Sequence, residues 1–108
     1  MEIDEMLILN VNSTGQVNVG IGEDVLMDLE SEAFRQHMSR EARAAEKSMR
    51  LAKRDIKRVG DVPQLWTTIM IRADKELEYS KLQSLMKVCQ YLGFHKFALR
   101  ASPERRRM

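Results

Sequence analysis

The sequence predicts an α+β fold: a single mixed β-sheet carrying two helices on one face, with elements in the order β-β-α-β-α-β. Three observations predict it. Apolar residues alternate with period two near both ends of the chain, two stretches of helical periodicity are each followed by a glycine, and residues 66–101 read as strand, helix and strand. At 108 residues the chain can build one modest core and not two. A single domain over 1–108 is therefore expected, with about 102–108 a flexible basic tail.

In the first strand Leu7, Leu9 and Val11 fall on one side, and Asn10 and Asn12 on the other. Ser13, Thr14 and Gly15 supply a turn, after which Val17, Val19 and Ile21 alternate with Gln16, Asn18 and Gly20, giving an antiparallel hairpin. Asp28 has the character of an N-cap, with Glu30 and Glu32 placed where carboxylates meet the positive end of a helix dipole. No Gly or Pro interrupts 29–59, and Gly60 offers the usual stop, so the expected helix is about 46 Å long. From Met38 onward its apolar positions, Met38, Ala42, Ala45, Met49, Ala52, Ile56 and Val59, step by four and three in turn. This heptad stripe has two readings. Packing on the chain's own sheet is preferred; a dimer seam through Met38, Ala45, Met49, Ala52 and Ile56 is the alternative.

The β-branched and apolar run 66–73 predicts a third strand, and 79–92 a second helix with Leu82, Leu85, Met86, Cys89 and Leu92 on one face, closed by Gly93. Phe97, Leu99 and Ala101 then mark a fourth strand. A strand–helix–strand unit of this kind closes right-handed with its strands parallel.

Hydrophobic residues at 44% and charged residues at 31% place the chain among folded globular proteins, away from disorder. No stretch approaches the roughly 20 apolar residues of a membrane-spanning helix. The acidic start Met1-Glu2-Ile3-Asp4-Glu5 is the opposite of a signal peptide. As given, the chain is expected to be neither inserted in a membrane nor secreted. Its net charge of +2 is uneven: residues 1–32 hold eight of the sixteen acids and none of the eighteen Lys and Arg, leaving the remainder at +10. Such a split suits nucleic acid, anionic lipid or an acidic partner, although a solvated helix face is the plainer explanation.

No constellation for catalysis emerges. Asp74, Glu76 and Glu78 could in principle act as paired carboxylates, but acids are favoured ahead of a helix N-terminus in any case. Gly20-Ile21-Gly22 lacks a third glycine and opens into Glu23-Asp24, which would repel a phosphate. Cys89 sits on an apolar helical face and reads as core, and being the sole cysteine it excludes an internal disulfide. His95 follows Gly93 with no motif-placed nucleophile, and with His37 it forms no zinc spacing. No enzyme activity, metal or cofactor is expected.

The stretch Ile71-Arg72-Ala73-Asp74-Lys75, followed by Leu77, Tyr79, Met86, Gln90, Gly93, Lys96 and Leu99, resembles the C-terminal half of the ExbD/TolR family of biopolymer-transport proteins. The opening hairpin, with its turn at 12–15 and Val17-Asn18-Val19 after it, resembles that family's first strands. The resemblance covers about two-thirds of the chain. It implies the periplasmic domain of a Ton- or Tol-type complex driven by the proton-motive force, supporting biopolymer transport across the envelope or envelope integrity. The partners it implies are an ExbB/TolQ-like proton-channel subunit, a TonB/TolA-like protein, a second copy of the chain in a homodimer, and peptidoglycan. Arg72, Asp74, Lys75 and Tyr79 are the motif positions expected to bind. The family's single transmembrane helix with its proton-linked aspartate has no counterpart in the sequence, so the domain is expected to follow that anchor on the periplasmic face of the cytoplasmic membrane. The segment 28–60 is longer and more basic than the family's first helix and loop.

A nucleic-acid-binding module using Arg43, Lys47, Arg50, Lys53, Arg54, Lys57 and Arg58 is the alternative of a different class. Against it, none of the six aromatic residues interleaves with these cations for base stacking, and Glu46 and Asp55 interrupt the run, so no nucleic acid is expected. A hydrolase built on Asp74 and Glu78 would need a cleft that the sequence does not indicate.

Overall fold

The computed structural model describes residues 5–19, 26–53 and 55–101. Strands β1 (Met6–Val11), β2 (Gln16–Asn18) and β3 (Leu26–Asp28) lead into helix α1 (Glu32–Leu51). A small hairpin, β4 (Arg58–Val59) with β5 (Val62–Pro63), then precedes β6 (Leu65–Ala73), helix α2 (Tyr79–Tyr91) and β7 (Phe94–Ala101). The main sheet has the order β3-β2-β1-β6-β7. β1, β6 and β7 run parallel, while β1 with β2 and β2 with β3 are antiparallel. The mixed α+β sheet predicted from sequence is thus present, with β3 and the β4–β5 hairpin added to the expected elements.

Register explains how the core forms. Leu7 and Leu9 of β1 lie beside Ile69 and Ile71 of β6. Leu9, Ile69 and Ile71 are buried in one cluster with Phe34, Met38, Ala45 and Met49 of α1 and Leu85 and Cys89 of α2. Both helices therefore cover the same face of the sheet. The alternate residues lie on the opposite face, where Met6 and Ile8 are exposed, Arg72 is half-buried and Met70 is buried.

Helix α1 departs from the expectation at both ends. Asp28 is not its N-cap: it pairs with Gln16 in β3, and its carboxylate accepts the Glu30 N–H at 2.8 Å. Ser31 caps instead, its hydroxyl accepting the Phe34 N–H at 3.1 Å. The helix stops at Leu51, and Lys53 takes a positive φ of 59°. Gly60 is not the helix stop; with φ 64° it turns the β4–β5 hairpin. Sheet length accounts for the difference. A 20-residue helix and a nine-residue strand both span about 30 Å, so α1 matches β6, whereas a 46 Å helix would have overrun it.

The heptad stripe is absorbed by the core. Met38, Ala42, Ala45 and Met49 are buried against the sheet, Ala52 is the helix C-cap, and Ile56 packs on the core from beyond the helix end. Val59 is exposed on β4. The largest side chains of the stripe, Met38 and Met49, thus serve the chain's own core. The residues Gly20, Ile21 and Gly22, Arg54, the first four residues and the segment 102–108 lie outside the described residues, and with them the GxG motif and the expected basic tail.

Candidate functional site

The C-terminal ends of the parallel strands β1 and β6 lie side by side, with Asn10 beside Arg72 and Val11 beside Ala73. Beyond them the two strand ends are tied together, because the Asp74 N–H donates to the Val11 carbonyl at 2.9 Å. In an open sheet, the crevice outside the carboxyl ends of parallel strands is where ligands are commonly held. Here it is a shallow cleft of about 240 Å³, to which Asn10, Asn12, Asn18, Leu26, Arg72 and Asp74 contribute.

Each side chain is placed by local chemistry. Asn12 organises the β1–β2 turn: its Oδ1 accepts from the Thr14 N–H at 3.1 Å, the Thr14 hydroxyl at 2.8 Å and the Gln16 N–H at 2.9 Å. Asp74 plays the same part after β6, its carboxylate accepting the Glu76 N–H at 2.8 Å while its carbonyl accepts from Leu77. Asp74 is thereby committed to holding a turn, which explains its place in the motif without acid–base chemistry. Arg72 projects from the open sheet face, where Arg100 of β7 is its cross-strand neighbour. Two guanidinium groups side by side on one face repel each other, and an anionic group bound between them would relieve that.

The sheet face continues this site away from the cleft. Met6 and Ile8 are exposed apolar residues on β1, Met70 lies between them and Ala98, and the Lys96 ammonium stands 5.0 Å from the centre of the Trp66 ring. A second depression of about 400 Å³ follows β1 where His37 and Glu41 of α1 also line it, and Asn10, Asn18 and Arg72 line both this depression and the cleft. Apolar area flanked by cations on an uncovered sheet face suits a peptide or protein partner carrying apolar and acidic groups.

Of the four motif residues singled out from sequence, the fold brings Arg72 and Asp74 together at the cleft. Lys75 is exposed on the following loop, and Tyr79, exposed at the first turn of α2, lies outside it. Asn10 and Asn18 complete the site and were not singled out; their signal was the polar side of the first hairpin, which register now sets beside Arg72. Cys89 is fully buried, and desolvation pushes its thiol pKa up to about 12, so it stays protonated and inert at neutral pH. Among the described residues, no group of His, Cys, Asp and Glu is arranged to hold a metal ion, and no helix is long and apolar enough to cross a membrane.

Comparison with known proteins bears on what such a surface is for. The family described as biopolymer transport protein ExbD/TolR matches residues 2–104, nearly the whole chain. Neither a curated protein nor a solved structure matches.

Proposed function

The chain belongs to the ExbD/TolR family of biopolymer transport proteins, and on that premise we propose that it is the periplasmic interaction domain of a Ton- or Tol-type complex driven by the proton-motive force. The family is a non-enzymatic, transport-associated one; its members are membrane-anchored with a periplasmic domain and associate with ExbB/TolQ-type and TonB/TolA-type partners. For this chain, the match over residues 2–104 is the single observation that carries the reading. The fold supports it, because a one-layer sheet with helices on one face leaves the other face for partners.

In this reading the domain acts by binding and has no catalytic role. The cleft at Arg72 and Asp74, with the sheet face beside it, receives the TonB/TolA-like protein, and Lys75 and Tyr79 border that contact. A second copy pairs through the open edge of β7, and peptidoglycan is a further partner. The anchor lies ahead of the domain, at the periplasmic face of the cytoplasmic membrane.

Affinity-tagged protein, expressed from its native gene and extracted from membranes in mild detergent, should co-purify a multi-helix ExbB/TolQ-like subunit in a reproducible ratio. Recovery of the protein without any such subunit would contradict the proposal.

A further inference from the structure

The outward face of α1 carries Arg40, Arg43, Lys47 and Arg50, at spacings of three, four and three residues. At 1.5 Å per residue they form one stripe about 15 Å long, directly opposite the buried positions Met38, Ala42, Ala45 and Met49. All four are exposed, and every neighbouring pair is like-charged at i,i+3 or i,i+4, an arrangement that weakens a helix. Among the described residues only Arg50 of the four has an ion pair, with Glu46 at 2.6 Å. Glu46 also holds Arg58 of β4, at 3.2 Å. One carboxylate thus joins the end of the stripe to the β4–β5 hairpin, and Arg40, Arg43, Lys47, Arg50 and Arg58 outnumber Glu46 and the turn residue Asp61, which leaves the joint surface cationic.

Two large apolar side chains stand out of this cationic end. Leu51, the last residue of α1 and in line with the stripe, is 75% exposed; Val59, beside the hairpin turn, is 68% exposed and borders a depression that it shares with Lys87 and Tyr91 of α2. Packing explains neither, since the core is closed without them. Cations aligned along a helix face with apolar residues projecting at its end combine the two attractions of a peripheral membrane surface: anionic headgroups draw in Lys and Arg, and the apolar tips enter the interface. No aromatic side chain lies in the stripe to stack on bases, and a purely ionic polymer would give the projecting Leu51 and Val59 nothing to bind.

We propose that the C-terminal half of α1 and the tip of the β4–β5 hairpin form a docking surface for a bilayer rich in anionic phospholipid. The surface is separate from the Arg72 cleft, so this proposal stands or falls independently of the partner reading above.

Purified protein should be sedimented with vesicles of phosphatidylcholine alone, and with vesicles in which roughly one-third is phosphatidylglycerol, at low and high salt. Binding to the anionic vesicles at low salt should exceed binding to neutral ones by about tenfold or more and should fall with salt. Arg43→Glu with Lys47→Glu should remove it. Leu51→Ser with Val59→Ser should weaken it several-fold; both pairs replace exposed residues, and circular dichroism checks that each variant keeps the wild-type fold. Equal binding to both vesicle types, or no effect of the charge reversal, would overturn the proposal. So would an affinity for duplex DNA or an acidic protein that matches or exceeds the vesicle affinity and ignores the serine pair, which would make the stripe a general polyanion site.

Discussion

Gly93→Val should cost the domain about 2–5 kcal/mol, enough to lower its melting temperature by roughly 10 °C or more. Gly93 follows the C-cap of α2 with φ 108°, a conformation that any L side chain resists and a β-branched one resists most. Space is denied as well. A Cβ at this position would run into the Pro63 carbonyl oxygen and lie 3.3 Å from the Leu65 side chain. That corner cannot yield without cost, because the Gly93 carbonyl accepts the Leu65 N–H at 2.9 Å and Leu65 begins β6, which lies between β1 and β7. The effect should therefore appear already in Gly93→Ala and grow in Gly93→Val. Urea or thermal melts followed by circular dichroism measure both, and a valine variant melting with the wild type would mean that α2 does not hand over to β7 in this way.

Leu99→Lys should convert a dimer to a monomer. β7 is eight residues long, lies at one edge of the sheet and bonds to β6 on one side only among the described residues. An unpaired edge of that length is a template for another strand, and edge lysines are a common means of blocking such pairing. Leu99 is a large apolar residue on this edge and is 53% exposed. A charge there should disturb the monomer little while opposing the approach of a second β7. Analytical ultracentrifugation over a wide concentration range should show a dimer for the wild type and a monomer for the variant, with similar melting curves. A wild type that stays monomeric at high micromolar concentration would remove β7 pairing from the account, and a dimer that survives the substitution would place self-association on another surface.

How far the fold could be read from sequence depended on the length of each element. β1, β6 and β7 carry six to nine residues, and α2 carries thirteen, which is long enough for periods of two and 3.6 to declare themselves. β3, β4 and β5 have two or three residues each and show no period at all. The limits of α1 were hidden for another reason. Nothing local between 29 and 59 ends a helix, and the end at Leu51 follows from the length of the sheet it covers and from Ile56 turning back to the core. Ser31 and Asp28 are both good caps, and only the pairing of Asp28 with Gln16 decides between them.

The site divides in the same way. Arg72 and Asp74 were legible as a motif, and their association with Asn10 and Asn18 was not. It depends on β1 pairing with β6 across some sixty residues of chain, which no local pattern encodes. Met38, Ala45 and Met49 illustrate the converse. A three-four spacing serves a coiled coil and a sheet-covering helix equally well, and here their burial beneath the chain's own sheet identifies the second use.

We propose above that the Arg72 cleft and the adjoining sheet face receive an energy-transducing partner. A photoreactive amino acid in place of Arg72, introduced into the protein expressed from its native gene in its native host, tests this. Irradiation should cross-link a TonB/TolA-like protein, and collapsing the proton-motive force with a protonophore should change the yield, while the same probe at exposed Arg40 on α1 should not cross-link that partner. Equal cross-linking from both positions, or none from position 72 in cells where the partner is present, would contradict the account.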